Sequence, residues 1–152
     1  VRGFSTGGLE GCPFRDWAPV FERARKAGLR LAAHAGENGP GSNVREALDA
    51  GVSRIVHGIR ADEATFELLA ERGIPVDICP SSNRALAAEV VPHPLPRMLR
   101  AGVRCALGTD DPGVIPCDLD TEAEAARRMG LSPADLEALR QHGAEDAWCL
   151  QG

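Results

Sequence analysis

The sequence lacks a block of basic residues and any long apolar run. Its 17 Lys and Arg residues are outnumbered by 22 Asp and Glu residues, and the formal net charge is -5. Because nucleic-acid binding needs a concentrated positive surface, this balance argues against a nucleic-acid partner. No apolar stretch approaches the length of a membrane span, so we expect neither a signal peptide nor a membrane partner. The 152 residues suffice for one domain with a substantial core.

The five cysteines include no Cys-x-x-Cys pair, and their number is odd. Secreted domains that depend on disulfides usually contain an even number of cysteines. We therefore expect reduced thiols and a cytoplasmic location. Cys79 ends an apolar run and is expected to be a small buried core residue, not a ligand. The chain also begins at Val1 without a Met, which we interpret as a sign of a missing N-terminal portion.

Helical and apolar segments alternate along the chain. Charged and apolar residues recur with a helical period in several segments, and short apolar runs lie between them. This alternation predicts an α/β fold in which helices cover a parallel sheet. The predicted strands are 1–5, 29–34, 53–58, 74–80 and 103–112, and the predicted helices are 16–28 (capped by Asp16), 42–51, 61–73, 93–102, 120–130 and 132–148.

Polar side chains follow the predicted strands at their C-terminal ends. His34 ends one apolar run, and Glu37 lies three positions further on. His57 ends the next run, while Asp110 and Asp111 follow the last one. In parallel α/β folds these strand ends point to one face, where active sites lie. The sequence therefore predicts that the five side chains converge.

Two imidazoles and three carboxylates at one edge suit metal-assisted hydrolysis. A divalent metal such as Zn²⁺ binds imidazole nitrogen and carboxylate oxygen, and it lowers the pKa of bound water to about 7. A further histidine or carboxylate can orient that water, and a neutral carboxyl group can donate a proton to a substrate nitrogen. The polar run at 81–83 is interpreted as a loop, and His93 and His142 as structural or solvent-exposed residues.

Several short motifs together carry a resemblance to a known family. HAGE (34–37), HG (57–58), CPSSN (79–83) and GTDDP (108–112) occur in this order, one strand-helix unit apart. They resemble the C-terminal half of the adenosine deaminase family, which belongs to the amidohydrolase superfamily of (β/α)8 barrels. FSTGGLEG (4–11) resembles the family segment at the end of the fourth strand. The resemblance implies that residues 1–152 form barrel strands four to eight and the terminal helices of a single domain, without the N-terminal strands.

The resemblance implies one divalent metal ion, Zn²⁺, with His34 and Asp110 among its ligands. Glu37 matches the carboxyl group that protonates the purine ring nitrogen in the family. His57 matches the base that orients and deprotonates the metal-bound water. These roles imply an enzyme, a purine aminohydrolase that uses metal-activated water.

The same resemblance implies a small purine substrate. Asp111 matches the carboxylate that contacts the purine on its imidazole side, and Gly8 matches the backbone position that hydrogen-bonds the purine ring. The implied substrate is adenosine, adenine or an adenine-bearing metabolite such as aminodeoxyfutalosine. Many relatives have an acidic residue before the glycine pair where this chain has STGGLE, so the choice among these substrates stays open.

A departure from the family pattern keeps other classes of protein open. The family's first strand carries a His-x-His pair that supplies two metal ligands, and this sequence contains no His-x-His. A catalytically silent fragment is therefore the alternative to an enzyme. A binuclear amidohydrolase with a metal-bridging lysine is disfavoured, because Lys26 is the single lysine and lies in a predicted helix. A cytidine-deaminase-type zinc enzyme is disfavoured, because its H-x-E and P-C-x-x-C signatures are absent.

Overall fold

A computed structural model describes residues 1–8, 10–86 and 90–149 of the chain. Within these ranges five strands form one parallel sheet. The strands are β1 Gly3–Thr6, β2 Arg30–Ala35, β3 Arg54–His57, β4 Val76–Ile78 and β5 Cys105–Leu107. The helices are α1 Phe14–Lys26, α2 Ser42–Asp49, α3 Glu63–Glu71, α4 Pro80–Ala85, α5 Leu95–Arg100, α6 Leu119–Arg128 and α7 Pro133–Glu145.

The strands lie side by side in the sheet in the same order as in the sequence. Each strand is parallel to the next, and at least one helix lies between them in the chain. The carboxyl ends of all five strands therefore lie along one edge of the sheet. The predicted α/β fold with a parallel sheet is confirmed, and the residues that follow each strand share this edge.

The hydrophobic core lies between the sheet and its helices. Ile55 and Ile78 from the strands are fully buried, as are Phe66, Leu69 and Met98 from the helices. Burying an apolar side chain of this size contributes about 1.5–3 kcal/mol. This layer therefore fixes the helices on the sheet and leaves the carboxyl edge of the strands for polar residues. Among the described residues, no helix is long and apolar enough to cross a membrane.

The first helix begins earlier than the sequence pattern predicts. α1 starts at Phe14, and Pro13 occupies the N-cap position without a side-chain hydrogen bond. Asp16 was predicted to be the cap, but it lies inside the first turn. Its negative charge is favourable there, since the N-terminal end of a helix carries a partial positive charge. Phe14 is buried, so core packing extends the helix past the predicted cap.

The prediction of a loop at 81–83 is wrong, because these residues lie in α4. Pro80 occupies the first turn of this helix, a position that proline favours. Serine and asparagine are poor helix formers, so the local sequence gives little sign of it. The Ser81 N–H donates to the buried Glu122 carboxylate at 3.0 Å. A contact from the distant α6 thus stabilises the start of α4.

The remaining differences concern the ends of elements. The predicted strands 74–80 and 103–112 are shorter in the structure, where β4 and β5 contain three residues each. The predicted helix 93–102 is α5, with six residues. Cys79 and Pro80 after β4 are buried without being part of the strand, whereas residues 108–112 after β5 form a partly exposed polar loop.

Candidate active site

Four of the five predicted site residues meet at the carboxyl edge of the sheet. The His57 Nε2 atom lies 3.2 Å from His34 Nδ1 and 3.5 Å from Glu37 Oε2. Asp110 Oδ2 lies 3.9 Å from the same Nε2 atom. Since β2, β3 and the segment after β5 supply these side chains, the parallel sheet itself brings together residues far apart in sequence.

Two of these residues have an unusual backbone conformation. His57 has a φ of 73° and Asp110 a φ of 55°, and they are the only non-glycine residues with positive φ in the described parts of the chain. Left-handed backbone is uncommon for residues with a Cβ and often marks functional sites. His57 is the last residue of β3, and Asp110 lies three residues after β5, so both follow the sheet to its carboxyl edge.

Burial sets the protonation state of the two histidines. His57 is completely buried, and burial followed by the nearby His34 lowers its pKa from 6.5 to about 4. Burial also lowers the pKa of His34. The two rings lie edge to face with their centroids 5.0 Å apart. Both imidazoles are therefore neutral near pH 7 and offer nitrogen lone pairs.

The pKa of Glu37 is shifted in the opposite direction, upward. Its side chain is buried, and burial raises its pKa from 4.5 to about 7, with further contributions from the negative charges of Asp110 and Glu10. A hydrogen bond from Asn38 Nδ2 to Glu37 Oε2 at 3.3 Å opposes this shift. A substantial fraction of the carboxyl group is thus protonated at neutral pH, as a proton donor requires.

The two adjacent aspartates differ in their surroundings. Asp110 accepts a hydrogen bond of 2.5 Å from the Ser82 hydroxyl, and its side chain is 20% exposed. Asp111 is exposed, and its carboxylate accepts a hydrogen bond of 3.1 Å from the Gly113 N–H within its own turn. Of the two predicted carboxylates, the structure thus places Asp110 beside the histidines and engages Asp111 in a surface turn.

Gly8 lies in the segment that follows β1. Its φ is 88°, and a Cβ at this position would meet no atom within 4 Å. The backbone is therefore exposed, in a conformation that favours glycine. Both features leave its peptide groups accessible to a ligand.

A hydrogen-bonded chain behind His57 determines which of its nitrogens carries the proton. The Leu95 N–H donates to His93 Nδ1 at 3.2 Å, so the neutral ring of His93 carries its proton on Nε2. That atom lies 3.4 Å from Asn83 Oδ1, and Asn83 Nδ2 lies 2.8 Å from His57 Nδ1. His57 Nδ1 therefore accepts, and its proton is on Nε2, which faces His34, Glu37 and Asp110.

The donor atoms fit a zinc ion. One ligand atom from each of His34, Glu37 and His57 lies within 4.8 Å of the others. Neutral imidazoles and carboxylates are the ligands that zinc binds in catalytic sites. Within this group His57 Nε2 carries a proton and Glu37 is partly protonated, so the ligand pair His34 and Asp110 expected from the sequence stays the prediction, with Asp110 Oδ2 3.9 Å from His57 Nε2.

The structure also gives contacts to site residues from side chains for which the sequence predicted no such contact. Ser82 and Asn83 bind Asp110 and His57, and Glu10 binds the backbone of the loop that carries Glu37. The signal for the first two was their position directly after β4, where polar residues face the site. Of the other residues considered, Cys79 is buried, as predicted, and His142 Nδ1 lies 3.1 Å from the Cys105 carbonyl oxygen.

Known proteins are similar to this chain in sequence and in fold. The family model described as Adenosine deaminase matches residues 6–151. An aminodeoxyfutalosine deaminase of Acidothermus cellulolyticus is 37% identical over 97% of this chain and 49% of its own length. An adenine deaminase of Cupriavidus pinatubonensis is 41% identical over 91% of this chain and 41% of its own length. The chain therefore spans half or less of the length of these relatives.

A solved structure extends the likeness to three dimensions. The crystal structure of an amidohydrolase from Burkhoderia ambifaria with bound Zn matches with a TM-score of 0.87 and 30% identity. The match covers 97% of this chain and 44% of that chain. The five-stranded sheet thus corresponds to part of an amidohydrolase (β/α)8 barrel, as the sequence predicted.

Proposed function

Because the chain belongs to the adenosine deaminase family, we propose that the protein containing it hydrolyses the amino group from the adenine ring of a small purine. The candidate substrates are adenosine, adenine and aminodeoxyfutalosine. One observation carries the proposal: a buried carboxyl group with a pKa of about 7, Glu37, lies 3.5 Å from the neutral imidazole of His57.

Glu37 activates the ring in this proposal. Its protonated carboxyl group donates to the ring nitrogen next to the carbon that bears the amino group. Protonation withdraws electrons from that carbon and prepares it for attack by water. Without its proton Glu37 has no such effect, which is why burial of the side chain matters for the chemistry.

His34 and Asp110 would hold a zinc ion at the carboxyl edge of the sheet. Bound there, zinc supplies a Lewis acid that lowers the pKa of water to about 7. The Ser82 hydroxyl keeps Asp110 in place through its hydrogen bond. Neutral His34 offers a lone pair because burial lowers its pKa.

His57 orients the attacking water by donating the Nε2 proton to its oxygen, since Nε2 is the atom that faces the other site residues. The oxygen of water bonds to the ring carbon, and the first proton of the water passes to the Glu37 carboxylate, which has given its own proton to the ring nitrogen. Glu37 returns that proton to the amino group, the carbon–nitrogen bond breaks and ammonia leaves, while the second proton of the water restores the Glu37 carboxyl group as the carbonyl forms. Water and adenine thus become hypoxanthine and ammonia, with Asp111 and the Gly8 backbone as proposed purine contacts.

The test uses the gene product that contains these 152 residues, supplied with zinc. Ammonia release and the change in purine absorbance are measured with adenosine, adenine and aminodeoxyfutalosine. We expect turnover of at least one substrate, and a loss of roughly 10²–10⁴-fold in kcat for Glu37→Gln. The proposal is wrong if none of the three releases ammonia, or if Glu37→Gln keeps full activity.

A further inference from the structure

The carboxylate of Glu10 is surrounded by hydrogen-bond donors from one loop. Glu10 follows β1, close in sequence to Gly8, and its carboxylate reaches the loop after β2. It accepts hydrogen bonds from four consecutive backbone N–H groups, those of Gly36 at 2.8 Å, Glu37 at 2.7 Å, Asn38 at 3.1 Å and Gly39 at 3.2 Å. A fifth comes from Asn43 Nδ2 at 2.6 Å.

We propose that Glu10 is a positioning residue for Glu37, and that it ties the segment after β1 to the loop after β2. The proposal rests on the function proposed above, in which Glu37 donates a proton to the purine ring. Glu10 acts through the backbone of that residue and does not itself reach the reacting atoms. Its own N–H donates back to Asn38 Oδ1 at 3.0 Å, so the two segments bind each other in both directions.

Successive N–H groups that point to one spot form a concave site for an anion. Here the anion is a side chain of the protein, and hydrogen bonds to an ionised carboxylate are about twice as strong as neutral ones. One hydrogen bond would satisfy a single backbone N–H group, whereas this carboxylate binds four consecutive N–H groups and one side-chain amide. The arrangement therefore fixes the path of residues 36–39 as a unit.

Gly39 allows the loop backbone to lie close to Glu10. A Cβ at Gly39 would lie 2.7 Å from the Cβ of Glu10 and 2.8 Å from its Oε2 atom. Only glycine lets the loop backbone approach Glu10 this closely. The Glu37 carbonyl group accepts a hydrogen bond of 2.6 Å from Arg60 Nε. Charged side chains thus bind the peptide groups on both sides of the Glu37 Cα.

The contact between Glu10 and the loop after β2 also affects how the proposed substrate is held. In the proposed function, the Gly8 backbone and the Glu37 carboxyl group both contact the purine ring. Glu10 lies two residues after Gly8 and bonds directly to the Glu37 N–H. It therefore sets the distance between two groups that must contact one planar ligand at the same time, a geometry on which proton transfer depends steeply.

The first test follows the loop itself in the gene product that contains the chain, without metal or substrate. Amide hydrogen exchange is measured by mass spectrometry in the wild type, Glu10→Gln and Glu10→Ala, with Glu67→Gln as a control that removes one negative charge from the exposed face of α3. We expect exchange at residues 36–39 to become at least about tenfold faster in both Glu10 variants and to stay unchanged in the control. Unchanged exchange at 36–39 in both Glu10 variants overturns the proposal.

The second test uses chemical rescue in the zinc-loaded gene product that contains the chain. Glu10→Ala leaves the four N–H groups without their carboxylate, so formate or acetate in the buffer can bind in its place. We expect kcat to fall about 10–100-fold in Glu10→Ala, with a smaller change in KM, and to recover in part with formate but not with chloride. Rescue of this kind distinguishes positioning by a carboxylate from general damage to the fold.

The two tests separate the two proposals. Faster exchange at 36–39 together with unchanged kcat in Glu10→Gln means that Glu10 binds the loop without positioning Glu37, and the inference is then wrong. If Glu37→Gln also keeps full activity, the proposed function fails, whatever the exchange data show. A Glu10→Ala variant that does not fold leaves Glu10→Gln, which conserves the size of the side chain, to decide the question.

Discussion

Acidification should destabilise the chain through His93, a histidine outside the group of His34, Glu37, His57 and Asp110. Burial lowers the pKa of His93 from 6.5 to about 4. Its Nδ1 atom also accepts the Leu95 N–H, so a proton on Nδ1 would break that hydrogen bond. The unfolded chain therefore binds a proton at His93 over a pH range in which the folded chain does not.

The sign and the size of the effect follow from these two pKa values. Between pH 6.5 and about 4 the unfolded state carries more protons, so stability falls as the pH falls through this window. This difference in pKa corresponds to a loss of at most about 3 kcal/mol in the free energy of unfolding, at 1.36 kcal/mol per pKa unit. That is a large fraction of the 5–15 kcal/mol that stabilises a typical domain.

The measurement compares His93→Gln with the wild type by urea unfolding from pH 7.5 to 4.5, with EDTA present. His57 also has a lowered pKa, but it is common to both proteins and cancels in the difference. We expect the wild type to lose more stability than the variant on acidification, by up to about 3 kcal/mol. Parallel stability curves for the two proteins across this range would refute the reasoning.

Three further predictions concern the metal, the core and the chain by itself. Glu37→Gln should retain zinc in metal analysis while losing turnover, whereas His34→Ala and Asp110→Ala should lose zinc, because they remove ligands. Asp77→Ala should cost about 1–3 kcal/mol in urea unfolding, because the mostly buried Arg54 guanidinium loses the carboxylate that it binds at 2.8 and 3.2 Å and keeps the Asp146 carbonyl oxygen at 2.9 Å as an acceptor. The 152-residue chain alone should bind zinc weakly and deaminate no adenosine, because it offers two proposed ligands where catalytic zinc sites use three. It should also associate in sedimentation experiments, because β1 and β5 leave the two edges of the sheet open to pairing with another chain.

Each of these predictions has an outcome that contradicts it. Full zinc occupancy in Asp110→Ala would remove that residue from the ligands. A loss of stability below about 1 kcal/mol in Asp77→Ala would show that water replaces the carboxylate at little cost. Deamination by the isolated chain that disappears in Glu37→Gln would mean that a second copy of the chain completes the site.

Much of the architecture could be predicted from sequence, because it depends on local patterns. Alternating apolar runs and amphipathic helices predict a parallel sheet, and a parallel sheet places all its carboxyl ends at one edge. That geometry places His34, Glu37, His57 and Asp110 along one edge without knowledge of any contact, although it does not fix the direction of each side chain. The family motifs added the barrel, which the structural match supports.

What could not be predicted depends on contacts between distant residues. α4 is a helix because Glu122, 41 positions after Ser81, binds its first turn. Glu10 lies 27 positions before Glu37, and no spacing pattern connects a residue after β1 with the backbone of the next strand's loop. Backbone N–H groups leave no mark in a sequence, so a carboxylate that binds them looks like any other surface glutamate.

The position of His57 shows where the periodicity of a strand fails to predict the direction of a side chain. In the sheet, His34 lies beside Val56, and His57 lies beside Ala35. Because successive side chains of a strand face opposite sides, a regular β3 would direct His57 toward the face of Ala35, which packs in the core under the helices. The φ of 73° at His57 departs from strand geometry and brings its Nε2 atom to 3.2 Å from His34. The contact between His57 and His34 thus depends on one residue of left-handed backbone at the end of a strand, which no alternation of apolar and polar residues can reveal.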